Sequence, residues 1–186
     1  MNLPNFLTIL RLFMVPSFVF LYFFGEEGRY WAALVFVLAA LTDVLDGYLA
    51  RKWNQITDFG KLADPVADKM MQLSAIGCLC FSGRVHFWVL VVFAVKELLQ
   101  ILGGLRLLNI HKYVVYSKWT GKIATVLLFM AVTVIMVTTE QVLPGKYATL
   151  LMLVCLVATF VAFFDYASMY FKIKDAHKSE HSIRRK

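Results

Sequence analysis

Six apolar stretches, each about as long as a bilayer core is thick, constrain this chain more than any other feature. They fall at roughly 5–24, 30–51, 63–82, 85–108, 120–139 and 147–171. A helix needs about 20 predominantly apolar residues to cross the hydrocarbon region. All six stretches reach that length. The breakers between them are short: Gly25-Glu26-Glu27-Gly28, the polar run Lys52 to Lys61, Ser82-Gly83, Asn109 to Lys118, and Pro144-Gly145. They leave no room for a second domain, so residues 1–186 read as one all-α bundle of six transmembrane helices. The chain is 60% hydrophobic and 17% charged, too apolar for the surface of a soluble domain of 186 residues. Cys78, Cys80 and Cys155 sit inside the apolar runs without CxxC or metal-ligand spacing and read as buried apolar side chains.

Loop charge orients the bundle. Arg51, Lys52 and Lys61 flank the second connection and Arg106, Lys112 and Lys118 the fourth, while the tail 172–186 carries Lys172, Lys174, Lys178, Arg184, Arg185 and Lys186. The odd connections offer only Arg29, Arg84 and Lys146. By the positive-inside rule both termini and the Lys52–Lys61 loop are cytoplasmic, in a multi-pass protein of the cell membrane. The same asymmetry accounts for the formal net charge of +7 without nucleic acid. The first apolar run lacks a basic n-region and a small-residue cleavage site, so it reads as part of the bundle and not as a cleaved signal. Residues 1–15 admit two readings, the start of the first span or an interfacial helix that gives way to a span after Pro16. The tail reads as solvated or touching headgroups.

Against this apolar background four aspartates stand out. Asp43, Asp46, Gly47 and Ala50 fall at i, i+3, i+4 and i+7, on one helix face, and Gly60, Asp64 and Asp68 at i, i+4 and i+8 form a second stripe. Pro65 suits a helix starting near Asp64. A short connection makes the two helices antiparallel neighbours, with both stripes near the cytoplasmic end. Four carboxylates so close repel one another unless protonated or neutralised by a cation. Oxygen ligands without His or Cys select a hard metal: Mg²⁺, Mn²⁺ or Ca²⁺. Gly47 and Ala50 leave space beside the acids, and Arg51 adds a permanent cation suited to phosphate. A lone aspartate near a helix end is ordinarily a cap, but four on two stripes within apolar spans mark function. A cation pathway through a transporter or channel is the reading from a different class. It calls for polar residues along a whole transmembrane route, and the fifth and sixth spans offer little beyond Thr133, Thr138, Thr139 and Asp165.

The pattern Asp43-x2-Asp46-Gly47-x2-Ala50-Arg51-x8-Gly60-x3-Asp64-x3-Asp68 resembles the complete signature of the CDP-alcohol phosphatidyltransferase family. The resemblance implies a membrane enzyme that moves a phosphatidyl group from CDP-diacylglycerol to an alcohol. It implies that Asp43, Asp46 and Asp64 ligate Mg²⁺ or Mn²⁺, two ions in all, with Asp68 both at the metal site and acting as the base. It also implies that Asp43, Gly47, Ala50, Arg51 and Gly60 bind the CDP-lipid, and that the enzyme is a homodimer. Within the family, Pro4-Asn5-x-Leu7-Thr8-x2-Arg11-x4-Pro16, the run Asp46 to Asn54 and Asp64-Pro-Val-Ala-Asp-Lys69 resemble phosphatidylglycerophosphate synthases and the related cardiolipin synthases. On that likeness the acceptor is sn-glycerol 3-phosphate, with phosphatidylglycerol as the alternative acceptor. An anionic acceptor needs cations, and Lys96, Arg106, Lys118 and Lys122 are the candidates. Lys96 should face the bundle interior, with Glu97 about 100° away around the helix. Here the chain departs from the synthase pattern: Lys96-Glu97-Leu98 stands where Arg-Glu-Phe is typical, Gly104-Leu105-Arg106 comes two residues late, and Ala124 replaces a second lysine.

Overall fold

The computed structural model describes the backbone of residues 3–25, 27–52, 58–111 and 119–183, and the side chains within 6–25, 27–45, 66–102, 119–165 and 167–168. The described residues form six helices and no strand: α1 (Leu3–Tyr22), α2 (Gly28–Lys52), α3 (Asp58–Phe81), α4 (Phe87–His111), α5 (Trp119–Val137) and α6 (Gly145–Ile183). Among these, Gly28–Leu45, Trp119–Val137 and Gly145–Asp165 are long and apolar enough to cross a membrane. Large apolar side chains such as Phe13, Phe20, Trp31, Val126 and Phe164 point outward. Water would penalise such a surface and lipid does not, which makes this an all-helical integral membrane protein.

α1 is one helix through Pro16. Thr8, Arg11, Val15 and Phe18 recur at intervals of three and four residues and are all buried, so one continuous stripe packs α1 against α2 and α3. No separate surface helix ends at Pro16. The proline forfeits one amide donor, and nearby the Ser17 hydroxyl donates to the Phe13 carbonyl at 3.0 Å. α3 likewise begins at Asp58, well before Pro65, where the sequence suggested a start near Asp64. Losing one intrahelical bond at Pro65 is a smaller cost than losing the turn that precedes it, and Asp58 is a residue type favoured at helix starts. α6 runs on to Ile183, so residues 172–183 of the tail continue the helix.

Two glycines set the turns at one end of the bundle. A side chain on Gly28 would place its Cβ 2.2 Å from the Leu21 carbonyl oxygen, which allows the α1–α2 turn to close only around glycine. Gly83 has φ of 74° and ends α3: its amide donates to the Cys80 carbonyl at 3.0 Å, and that of Arg84 to Leu79 at 2.9 Å. This is the Schellman arrangement, which needs the left-handed conformation glycine adopts without penalty. Arg84 is then buried and donates to the carbonyls of Ile135 (3.2 Å) and Thr138 (2.9 Å), satisfying groups at the C-terminal end of α5. Deeper in, Phe36 stacks on Phe129 with centroids 4.8 Å apart and interplanar angle 11°, joining α2 to α5. Cys78, Cys80 and Cys155 are free thiols, two of them buried in the core.

Candidate active site

The antiparallel course of α2 and α3 brings Asp43, in the C-terminal half of α2, to the same cavity as Asp68 of α3. The cavity has a volume of about 290 Å³ and lies among α1, α2, α3 and α5. Phe36, Phe129, Leu128 and Val132 are among its apolar lining, and Gln72 and Thr125 add polar groups. It is a mostly apolar chamber with two acids in its lining, the form of a site that takes an amphiphilic ligand.

Asp68 is half-buried, and the Gln72 side-chain amide donates to its Oδ2 at 3.2 Å. The bond spans one turn of α3 and leaves Oδ1 for another partner. Asp43 forms an ion pair with a residue that the signature does not include. The guanidinium of Arg11 lies 2.7 Å from Asp43 Oδ1, with the arginine 1% exposed and the aspartate 42% exposed. The cation is sealed beneath the carboxylate, while the carboxylate itself opens into the cavity. The sequence held one sign of this: a positive charge in an otherwise apolar amphipathic stripe, which has to find an anion when buried.

Asp46, Gly47, Ala50, Arg51, Gly60 and Asp64 lie on α2 and α3, and Arg106 on α4, with their side chains outside the described residues; Lys118 lies outside them entirely. Among the described residues no three His, Cys, Asp or Glu side chains converge on a point. Asp43 and Asp68 on one cavity wall are nonetheless oxygen donors only, the chemistry that fits a hard divalent ion.

The acceptor candidates separate. Lys96 is buried on α4, as its place inside an apolar run implied, but Glu97 does not turn away from it. Both are buried, the Lys96 ammonium pairs with Glu97 Oε1, and Lys69 of α3 pairs with Oε2 of the same carboxylate. Adjacent helical residues diverge at Cα, yet a lysine stem is long enough to curl back onto the next residue's carboxylate. Lys96 Nζ also lies 5.2 Å from the centroid of the Phe93 ring. Glu97 is thus the bridge of a three-charge cluster between α3 and α4, a role that sequence spacing does not reveal. Lys122 is exposed at the start of α5, its ammonium 5.4 Å from the Trp119 ring centroid. Ala124, where a second lysine is typical, is buried in the bundle, and the next residue, Thr125, reaches the cavity.

A family model described as CDP-alcohol phosphatidyltransferase matches residues 1–171. A relative from Mycobacterium tuberculosis (strain H37Rv) named "Probable phosphatidylglycerophosphate synthase" is 40% identical over 128 residues, 67% of this chain and 60% of that protein. A relative from Sodalis glossinidius named "CDP-diacylglycerol--glycerol-3-phosphate 3-phosphatidyltransferase" is 34% identical over 175 residues, 89% of this chain and 93% of that protein. One of the same name from Rickettsia typhi is 47% identical over 79 residues, and the match spans 42% of its length. The match therefore spans less than two thirds of the mycobacterial relative, under half of the rickettsial one, and nearly all of the Sodalis one.

Proposed function

Because the chain belongs to the CDP-alcohol phosphatidyltransferase family, we propose that it transfers the phosphatidyl group of CDP-diacylglycerol to sn-glycerol 3-phosphate, giving phosphatidylglycerol phosphate and CMP. The observation that carries this reading is the placement of Asp43 and Asp68, from two different helices, on the wall of one largely apolar cavity. Such a chamber suits a donor with a charged diphosphate and a hydrocarbon body. Glycerol 3-phosphate is the acceptor that the names of the Sodalis and Rickettsia relatives give for those proteins.

Asp43, Asp46 and Asp64, with Asp68, are the residues to hold Mg²⁺ or Mn²⁺, two ions in all, which when bound supply charge neutralisation at the diphosphate. Gly47, Ala50 and Gly60 leave room for the CDP headgroup, and Arg51 offers it a planar cation. Asp68 takes the proton of the acceptor hydroxyl through the oxygen that Gln72 leaves open. The acceptor oxygen forms its bond to the β-phosphorus, and the bond from that phosphorus to the bridging oxygen breaks. CMP leaves with the electron pair, and the Asp68 proton passes to solvent.

The same reading has six transmembrane helices, with both termini and the acids on the cytoplasmic side, in a homodimer. Loop charge supports the orientation, and family resemblance supports the dimer. The test is CMP release by purified protein given CDP-diacylglycerol and Mg²⁺ or Mn²⁺, with glycerol 3-phosphate, phosphatidylglycerol, inositol phosphate and serine in parallel. Release with glycerol 3-phosphate is the expected result. Release with phosphatidylglycerol alone makes the protein a cardiolipin synthase, and no release with any alcohol overturns the enzyme reading.

A further inference from the structure

Arg11 lies in the first half of α1, outside the aspartate signature, yet it reaches Asp43. Its side chain is 1% exposed, its Nη1 lies 2.7 Å from Asp43 Oδ1, and it lines the same cavity as Asp43 and Asp68. Arg11 belongs to the buried stripe that packs α1 on α2 and α3, with Thr8 one turn before it equally buried. The guanidinium is therefore anchored by its helix and cannot leave for water when a ligand arrives. A guanidinium does not deprotonate in proteins, so the charge that Arg11 brings to the site is permanent.

We propose that Arg11 is a resident cation of the acid site that couples divalent-metal binding to the arrival of the diphosphate. This rests on the metal site proposed above. A fixed positive charge within a few ångströms of a dication opposes its binding, and in a half-buried site that repulsion is poorly screened. The same charge attracts a diphosphate. With the nucleotide absent, Arg11 neutralises part of the acid cluster and keeps metal affinity low. With the nucleotide bound, its negative charge offsets Arg11 and the metal binds more tightly. The linkage is reciprocal, so metal strengthens nucleotide binding by the same factor. α1 thereby supplies the charge that prevents the aspartates from filling with metal before the donor is in place.

The experiment measures Mn²⁺ binding to the purified full chain in lipid nanodiscs by electron paramagnetic resonance, with and without CMP. In the unmodified protein CMP is expected to tighten Mn²⁺ binding about tenfold or more. Arg11→Gln should bind Mn²⁺ alone about tenfold more tightly than the unmodified protein, with the effect of CMP reduced to about threefold or less. Arg11→Lys keeps the charge and should stay within about threefold of the unmodified protein for Mn²⁺ alone. Unchanged or weaker Mn²⁺ binding in Arg11→Gln overturns the proposal, as does a full CMP effect in that variant. Should Arg11→Gln fail to fold, Arg11→Lys still decides: a change in Mn²⁺ affinity of tenfold or more refutes a role based on charge. An unmodified protein that binds no Mn²⁺ in either condition sinks the metal reading itself, a result distinct from failure of the coupling.

Discussion

Replacing Glu97 by glutamine tests whether the α3–α4 cluster is an electrostatic unit. Glu97 is 5% exposed and answers two ammoniums, Lys96 at 7% exposure and Lys69 at 19%. Removing one partner of a buried ion pair leaves an uncompensated charge, at about 3–5 kcal/mol. Lys69 can extend part of its stem toward a more polar region, which favours the lower end, about 3 kcal/mol. For a chain of this size that corresponds to a fall in Tm of roughly 6–12 °C. Lys96→Met makes the contrast: it removes one ammonium, leaves Lys69 paired with Glu97, and fills similar volume, for about 1 kcal/mol or less. In the double variant the stranded Lys96 is gone, so its loss should fall short of that of Glu97→Gln, with a coupling of about 1.5 kcal/mol. Thermal unfolding of the four proteins in one detergent, followed by circular dichroism, gives the comparison. If Lys96→Met costs as much as Glu97→Gln, the cluster is held by packing and the electrostatic argument is wrong.

Three other outcomes follow from single contacts. Asp68→Asn should lower kcat for CMP release about a hundredfold or more while Mn²⁺ binding by magnetic resonance persists, since an amide has no base to offer; substantial turnover excludes Asp68 as the base. Gly28→Ala forces a methyl group into the Leu21 carbonyl and should destabilise the protein by about 2–3 kcal/mol in the same unfolding assay; a neutral effect would mean that the α1–α2 turn is not as closely built. Arg84→Met removes the donor to the Ile135 and Thr138 carbonyls and should lose about 1–3 kcal/mol with KM for both substrates unchanged, because the contact is remote from the acids. A shift in either KM would contradict that separation.

The helices were legible because apolar runs of bilayer length separated by glycine, proline and charge admit few alternatives. The signature aspartates were legible because acids in apolar helices are costly and their spacing places them on faces. What spacing could not supply was partnership. Arg11 read as part of an N-terminal motif, and only the packing of α1 on α2 brings it to Asp43. Lys96 read as a cation available to an acceptor, whereas Glu97 already occupies it, helped by Lys69 from another helix. Helical period fixes the direction in which a Cα–Cβ bond leaves the axis, but the ends of Lys, Arg and Glu lie several rotatable bonds away. Pro65 misled for a related reason: local preference suggested a helix start there, and the longer helix prevailed.

The polar contacts between helices divide by position. At the end holding the α1–α2 and α3–α4 turns, the described residues link helices by hydrogen bonds: the hydroxyls of Tyr22 and Ser82 at 2.9 Å, Arg84 to the end of α5, and the His86 ring to Thr149 at 3.1 Å. Toward the acids and the middle of the bundle, the charged links among the described residues are ion pairs, Arg11 to Asp43 and Lys69 to Glu97, beside a weak thiol hydrogen bond from Cys155 to the Leu127 carbonyl at 3.6 Å. Bonds at the first end join groups that gain nothing from a charged ligand, and they hold the helices in fixed order. Ion pairs at the second respond to any charge that enters the cavity, because a dication or a diphosphate changes the field that each of them feels. Ligand binding should therefore shift protection of α1 and the N-terminal half of α3 in hydrogen exchange while leaving the Gly83 turn unchanged. Equal changes at both ends on adding CMP and Mn²⁺ would show that the bundle responds as one rigid unit, and would remove the basis for assigning it a fixed base and a responsive mouth.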